Sequence, residues 1–145
     1  MLLDRNLHIR AIDSYIDPSV PRERAIVTHG HADHARSGHG SVLATPDTIA
    51  IMKTRYGEDC ARSFQALDFG VPLAIDDVTI TLFPAGHVLG SAQVLLEHKG
   101  QRVVVTGAAD KLLTIDAPND VHVQAGERVG LSIAPGAVRV LPGEA

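Results

Sequence analysis

Residues 28–34 read THGHADH and bring together three of the chain's eight histidines and one aspartate. The run before them, residues 25–28, is apolar and β-branched, which predicts a short buried strand that ends where the histidines begin. Thr45 is followed by a proline and an acidic residue, which predicts that it caps a helix over residues 48–56. Further strands are predicted at residues 41–44, 64–67, 78–83, 92–97 and 102–106, the last two joined by a hairpin turn at residues 99–100. This alternation predicts an α/β (α+β) fold in which the ends of a sheet carry the site.

The histidine cluster has the spacing of a metal chelate. Side chains alternate along an extended chain, so His29, His31 and Asp33 project to one side, and a turn after Asp33 brings His34 round to them. Imidazoles with a carboxylate and no cysteine are typical of catalytic zinc, iron or manganese sites, in which the metal acidifies a bound water. The alternative interpretation is a polar loop with surface histidines. Their position directly after a buried strand favours the metal site.

A second loop offers a further ligand. His87 lies within residues 83–92, FPAGHVLGSA, and again follows a predicted strand. Gly86 and Gly90 on either side of it permit a tight turn and a close approach of the backbone to a metal or a phosphate. We therefore predict that His87 adds to the ligands of the first loop.

The remaining histidines have weaker patterns. His8, His98 and His122 are isolated within strand-like segments, which predicts structural or solvent-facing side chains. His39 lies between two glycines, and we expect it at a helix end or beside a metal ligand rather than on the metal itself.

Together the two loops resemble the metallo-β-lactamase superfamily. The pairing of H-x-H-x-D-H at residues 29–34 with PAGHVLGSA at residues 84–92 is similar to its β-CASP nuclease branch. Within that branch the chain looks most like bacterial ligase-associated DNA exonucleases and mRNA 3′-end-processing-factor-like proteins. Lactamase- and glyoxalase-like members usually follow the later histidine with Thr-Pro-Gly, so Val-Leu-Gly at residues 88–90 favours the nucleases. The likeness spans about residues 7–107 and includes YIDP at residues 15–18 and LATPDT at residues 43–48.

The resemblance implies a fold, a ligand set and a substrate. Residues 1–107 would form part of a metallo-β-lactamase αββα sandwich. His29, His31 and His87 would hold one metal ion, while Asp33 and His34 would hold a second and belong to the catalytic centre. The implied metal is zinc, as one or two ions, with manganese as the alternative. Two ions would clamp a scissile phosphate of DNA or RNA and present a hydroxide for in-line attack.

The chain departs from the family after residue 107. Residues 103–107, VVVTG, match the family's next motif, in which an aspartate that bridges both metals follows the glycine. Ala108 stands in that place and offers no oxygen, and Asp110 would need a bulge in order to substitute for the aspartate. The family's further histidine ligand, the second half of its sandwich and its β-CASP cap have no counterpart here. By comparison with the family, the sequence contains only part of the expected ligand set.

Residues 108–145 predict a small β-rich extension. They are punctuated by Pro and Gly between short β-branched runs. Residues 116–144 weakly resemble the TOBE module that ends many ATPases of ABC importers. The phosphate-binding pattern G-x-x-x-x-G-K-[ST] does not occur in the chain, which excludes an ATPase role.

Composition narrows the classes of partner. A net charge of −4 gives no general attraction to phosphate backbones, so a nucleic-acid substrate must be held locally. Cys60 is the only cysteine, which excludes an intrachain disulfide. The chain has neither a signal-peptide pattern nor a run of ~18 apolar residues, so we expect a cytoplasmic protein without membrane contacts. A half sandwich leaves a sheet face open, which predicts a homo-oligomer or a partner chain that covers it.

Three functions follow from these observations. The first is a metal-dependent hydrolase of phosphodiester bonds, exonuclease-like on DNA or RNA, whose activity is impaired by the truncated site. The alternative is a non-catalytic metal-binding or interaction module derived from such a nuclease, which Ala108 and the short length favour. The third, hydrolysis of a small molecule of lactamase or glyoxalase type, conflicts with the sequence after His87.

Overall fold

Two five-stranded sheets and one α-helix make up the part of the chain that the structure describes. The structure is a computed structural model, and it describes residues 2–106 and the backbone of residues 113–117. The helix α1 spans Pro46–Tyr56, and a single 3₁₀ turn spans Arg10–Ile12. The strands are β1 (His8–Ile9), β2 (Ser14–Ile16), β3 (Arg24–Ile26), β4 (His39–Ala44), β5 (Ala61–Ala66), β6 (Leu73–Ile75), β7 (Val78–Pro84), β8 (Ala92–His98), β9 (Gln101–Thr106) and β10 (Leu113–Ala117).

The first sheet has the order β1-β2-β3-β4-β5, and the second sheet has the order β10-β9-β8-β7-β6. Strands β2 to β5 pair in parallel, so their carboxyl ends lie along one side of the first sheet, here called the carboxyl edge. The second sheet is antiparallel throughout, and its β8–β9 hairpin turns at Lys99 and Gly100 as predicted. Parallel strands gather the loops that follow them at one edge, which is where such sheets carry their sites.

The inner faces of the two sheets pack against each other and form the main core. Because strand side chains alternate, every second residue of β7 and β8 points into this core. It joins the first sheet to the second through Ile9, Ile16, Ile26, Leu43, Val78, Ile80, Leu82, Val94, Leu96 and Val105. A smaller core lies on the other face of the first sheet, where α1 packs through Ile49 and Met52 against Val27, Val42 and Ala44. The first sheet is therefore covered on both faces.

The helix α1 begins with the predicted cap. The Thr45 hydroxyl accepts the Thr48 N–H at 3.3 Å, and Pro46 occupies the first turn, where a missing N–H costs nothing. The helix therefore starts at Pro46 rather than at Thr48 as predicted. Gly57 ends it with a φ of 97°, and its N–H binds the Lys53 carbonyl.

The sequence predicts the longer strands and the short strand β3, but it overlooks β1, β2 and β6. All of the strands predicted up to residue 106 are present, although their bounds differ by a few residues. Strands β1, β2 and β6 have only two or three residues, too few to show an alternating pattern. Residues 32–34 form a turn, closed by the N–H groups of His34 and Ala35 on the His31 carbonyl at 3.0 and 2.7 Å.

The observed mixture of sheets and helix is consistent with the predicted α+β class. The backbone of β10 extends the second sheet beside β9. Residues 107–112 and 118–145 lie outside the described part, so the division at residue 107 and the TOBE-like tail stay predictions. No helix among the described residues is long and apolar enough to cross a membrane.

Candidate metal centre

Three loops meet at the carboxyl edge of the first sheet. Asp17 follows β2, the histidine-rich turn follows β3, and His87 lies in the loop between β7 and β8. The Thr28 carbonyl accepts the Ala92 N–H at 2.8 Å, which joins the end of β3 to the start of β8. A strand of the second sheet thereby brings its loop to the edge of the first.

Three imidazoles converge at this edge. The ring centroids of His29, His31 and His87 lie 4.9, 5.1 and 4.9 Å apart, and each ring offers a nitrogen within 4.8 Å of the others. The distance from His31 Nδ1 to His87 Nε2 is 3.3 Å. Two nitrogens bound to one tetrahedral zinc are separated by about 3.3–3.4 Å, which follows from Zn–N bonds of about 2.0–2.1 Å. The arrangement therefore fits a single cation of this size.

The turn between the first two histidines is held against α1. A Cβ added to Gly30 would lie only 2.7 Å from Ile51 Cγ2, so glycine permits this close approach. The Arg55 guanidinium donates to the Gly30 carbonyl at 2.6 Å. The helix therefore fixes the backbone that carries His29 and His31.

A buried carboxylate organises the inner side of the site. The side chain of Asp17 is 3% exposed, and its Oδ1 accepts the Thr28 N–H at 2.7 Å. Its Oδ2 accepts the Thr28 hydroxyl at 2.5 Å and the His34 Nδ1–H at 2.9 Å. Hydrogen bonds to a charged acceptor contribute about 1.5–3 kcal/mol each, so this carboxylate holds two segments of the site together.

These hydrogen bonds also fix which ring nitrogen is available. The Thr28 hydroxyl has one proton and donates it to Asp17, so its oxygen accepts from His29 Nδ1 at 2.9 Å. His34 likewise uses Nδ1 to donate to Asp17. When neutral, both rings are thereby left with an unprotonated Nε2, the atom that a metal needs, and their orientations are set by outer hydrogen bonds.

The two inner histidines have opposite pKa shifts. Burial, followed by the positive charge of His34, lowers the pKa of His29 to about 4, so this ring is neutral at pH 7. The hydrogen bond to Asp17 raises the pKa of His34. A metal ligand must be unprotonated, so His29 is ready to bind at neutral pH, whereas protons compete with a metal for His34.

Asp33 lies on the outer side of the cluster. Its side chain is 75% exposed, and its Oδ2 lies 3.6 Å from His34 Nε2, so the two atoms are close enough for one cation. The described residues contain two groups of three donors within 4.8 Å, namely His29, His31 and His87, and Asp17, His29 and His34. Asp33 belongs to neither group, and its assignment to a second ion stays a prediction.

The other described histidines lie outside this cluster. His8 Nε2 donates to Asp13 Oδ1 at 2.9 Å and the ring stacks on Tyr15, and His98 Nε2 lies 2.8 Å from Asp77 Oδ2. His39 lies neither at a helix end nor beside a candidate ligand, so its predicted position is wrong. It begins β4 at the end opposite to the carboxyl edge, where its Nδ1 accepts the Arg22 N–H. Ala108 and His122 lie outside the described residues.

Sequence reasoning assigns no role to Asp17. The residue directly follows a strand of three residues, and its partners are 11 and 17 positions away. The available signals are its place before Pro18 at the end of the apolar run 15–16 and the likeness of YIDP at residues 15–18 to the nuclease family. The parallel pairing of β2 with β3 places Asp17 beside Thr28.

The chain is similar to segments of longer known proteins. No family model matches the chain. The chain is 38% identical over 93 residues to a probable DNA ligase of Opitutus terrae, covering 63% of this chain and 9% of that protein. It is 30% identical over 115 residues to the endoribonuclease YSH1 of Mycosarcoma maydis, covering 57% of this chain and 13% of that protein. It is 30% identical over 121 residues to a UPF0173 metal-dependent hydrolase of Methanosphaerula palustris, covering 77% of this chain and 50% of that protein.

The chain spans at most half the length of these three relatives. At low identity and over partial coverage, they support a relationship to metal-dependent hydrolases and nucleases of metallo-β-lactamase type. A metal-dependent relative and a histidine-rich group of donors both point to a metal cofactor.

Proposed function

We propose that this chain carries the metal-binding half of a phosphodiester hydrolase that acts on nucleic acid, with zinc as the metal and manganese as the alternative. The observation that carries the proposal is the convergence of His29, His31 and His87 from two loops, with ligand atoms 3.3 Å apart in one pair. The neutral state of His29 at pH 7 supports it, since a protonated ring binds no metal.

The choice of substrate rests on the relatives. One is named a probable DNA ligase and another an endoribonuclease, so both are proteins of nucleic-acid processing. A third is named a metal-dependent hydrolase, which supports the type of reaction. We propose exonuclease-like cleavage because of the resemblance of residues 84–92 to the β-CASP nucleases.

The residues of the candidate site would have different roles in such a reaction. A bound divalent cation supplies a Lewis acid and an acidified water. His29, His31 and His87 would hold the cation, and Asp17 would keep the His34 ring turned with Nε2 towards the site. Asp33 and His34 would face the substrate side, where their two atoms at 3.6 Å offer a partial second position.

We propose one tightly bound ion per chain. The first position has three imidazoles, whereas Asp33 and His34 offer two donors, and the bridging aspartate of the family is replaced by Ala108 in the sequence. Metal affinity falls as ligands are lost, so the second position should bind far more weakly.

The test is hydrolysis of a chromogenic phosphodiester by protein loaded with zinc or manganese. We expect activity in the wild-type chain and its loss in His29→Ala and in His31→Ala. The matched control is His98→Ala, a histidine outside the cluster whose Nε2 lies 2.8 Å from Asp77 Oδ2, and it should retain the wild-type rate. Equal rates in all four proteins would mean that the activity comes from elsewhere.

The alternative, a non-catalytic module, is favoured by Ala108 at the bridging position. It predicts that the wild-type chain binds one ion and hydrolyses nothing, and that Ala108→Asp restores no activity. Gain of hydrolysis in Ala108→Asp would instead support a nuclease that has lost one ligand.

We also propose that a second copy or another chain covers the outer face of the second sheet, and that the protein works in the cytoplasm. Light scattering at tens of micromolar tests the first proposal, since a homo-oligomer should have at least twice the mass of one chain. A sharp monomer would leave a different partner chain as the remaining proposal.

A further inference from the structure

The loop that carries His87 receives little support from packing of the histidine itself. His29 is buried within the fold, with 2% of its surface exposed, whereas His87 is exposed to solvent. An exposed side chain is restrained mainly by its own backbone. The position of His87 beside His31 therefore depends on what holds residues 84–91 in place.

The loop is closed on itself by Ser91. The Ser91 hydroxyl accepts the N–H groups of His87 and Val88, both at 3.2 Å, and its own N–H donates to the Val88 carbonyl at 2.9 Å. The Ala85 N–H donates to the Ser91 carbonyl at 3.0 Å. These bonds make residues 85–91 a compact unit, so an anchor at one residue of the loop restrains them all.

That anchor is the Gly90 carbonyl, which lies on two buried hydroxyls at the start of α1, one from its cap and one from its first turn. Its oxygen is 2.7 Å from Thr45 Oγ1 and 3.2 Å from Thr48 Oγ1, and the two hydroxyl oxygens are 3.0 Å apart. A carbonyl oxygen has two lone pairs and can accept both protons. Thr45 and Thr48 are 2% and 0% exposed, so water does not compete for these bonds.

The backbone of Gly90 is in direct contact with the helix. A Cβ at this position would lie 2.7 Å from Asp47 Cβ, 2.8 Å from Thr45 Oγ1 and 2.9 Å from the Thr48 nitrogen. Its φ of 74° is also one that glycine adopts without strain. The loop is thus seated on α1, the helix that also holds the turn carrying His29 and His31 through Gly30.

We propose that Thr45 and Thr48 are positioning residues that preset His87 for the metal by binding the Gly90 carbonyl. The inference rests on the proposed metal site and adds residues that lie outside the ligand set. One helix then fixes both groups of ligands, and the exposed imidazole needs no further ordering when a cation binds. Loss of outer hydrogen bonds of this kind lowers metal affinity by about 10–100-fold.

Zinc affinity, measured by competition with a chromophoric chelator, tests the proposal. Thr48→Val keeps the shape of the side chain and removes one hydroxyl, and it should weaken zinc binding by about 10-fold or more. Thr48→Ser restores the hydroxyl and should bind nearly as the wild type does. Thr54→Val makes the same change at an exposed position of the same helix and should have no effect. If Thr48→Val prevents folding, Thr48→Ala removes the same hydroxyl without the added methyl group.

A double-mutant cycle separates positioning from a general structural effect. In a His87→Ala background, Thr48→Val should cause no further loss of zinc affinity, because the ligand that it positions is already absent. In the metal-free protein, the amide hydrogens of His87 and Val88 should exchange faster in Thr48→Val than in the wild type.

The outcomes distinguish the two proposals. A wild-type chain that takes up no zinc would overturn the proposed function and the positioning role with it. A wild-type chain that binds zinc would leave the function standing, and the positioning role would be overturned by an unchanged affinity in Thr48→Val. An equal loss with and without His87 would overturn it as well.

Discussion

The two halves of the candidate centre are built in different ways. On the sheet side, His29 and His34 are oriented by side-chain hydrogen bonds to Thr28 and Asp17, within a largely buried network. On the loop side, His87 is exposed, and its backbone is held by Ser91 and by α1. The sheet side therefore depends on a carboxylate, whereas the loop side depends on backbone geometry. Substitutions in the two halves should therefore change zinc affinity and stability to different extents.

The largest effect is expected on the sheet side. Asp17→Asn keeps the shape but removes the charge that accepts from Thr28 and His34. We expect zinc affinity to fall by about 10–100-fold. The free energy of unfolding should fall by about 2–4 kcal/mol, because the NH2 group of the asparagine would face donors of Thr28 or His34 and could not accept their protons. Chelator competition and urea unfolding measure the two quantities. A variant with wild-type values in both would show that the carboxylate does not organise the site.

The loop side offers a matched pair of glycines. Gly86 and Gly90 both have positive φ, of 68° and 74°, but an added Cβ meets no atom within 4 Å at Gly86 and meets α1 at 2.7–2.9 Å at Gly90. Gly86→Ala should cost about 1 kcal/mol for backbone strain and leave zinc affinity near the wild-type value. Gly90→Ala should also displace the loop and weaken zinc binding by about 10-fold. Equal affinities in the two variants would show that the contact with α1 does not matter.

The pH dependence of stability should reveal the buried ring of His29. Its pKa is lowered from 6.5 to about 4 in the folded chain. Between pH 4 and pH 6.5 the His29 ring is therefore protonated in the unfolded chain and neutral in the folded chain. This contribution is complete above pH 6.5 and is lost as the pH falls towards 4, by about 1–3 kcal/mol. The raised pKa of His34 acts mainly above pH 6.5, where its contribution is lost as the pH rises.

Urea unfolding of the metal-free protein at pH 7 and pH 4.5 checks this. The loss of stability on acidification should be smaller in His29→Gln than in the wild type. The control His98→Gln, which changes a histidine at the far end of β8, should keep the wild-type loss. The same loss in all three proteins would assign the effect to other groups.

The smallest effect is expected at Asp33. Its exposed carboxylate lies near His34 Nε2 but outside the group of three imidazoles. Asp33→Asn should therefore leave the affinity for the first zinc within about threefold of the wild type, in contrast to Asp17→Asn. Competition titrations on the two variants side by side make the comparison. A larger loss in Asp33→Asn would place this carboxylate on the first ion.

Features of the site that lie within a few residues can be predicted from the sequence, whereas contacts between distant residues cannot. The spacing of His29 and His31, the Thr45 cap and the strand before each histidine loop are patterns within a few residues, and the structure contains them. Asp17 acts on residues 11 and 17 positions away, and its strand is too short to show a pattern.

Contacts between distant segments are similarly invisible. Thr45 and Thr48 bind a carbonyl that lies 45 and 42 positions away, and no property of the threonines alone indicates it. The glycines on either side of His39 favour a helix end or a position beside a metal ligand, but β4 begins there and carries His39 to the opposite end of the sheet. The side chain of Asp33 follows a turn rather than the alternation of a strand, which explains its exposure.

The central claim is that imidazoles from two loops bind one cation. X-ray absorption at the zinc edge, recorded on the chain with one equivalent of zinc, tests it most directly. The account predicts three imidazole nitrogens at about 2.0–2.1 Å in the wild type and two in His87→Ala. A coordination shell that is the same in both proteins, or one without imidazole, would contradict it.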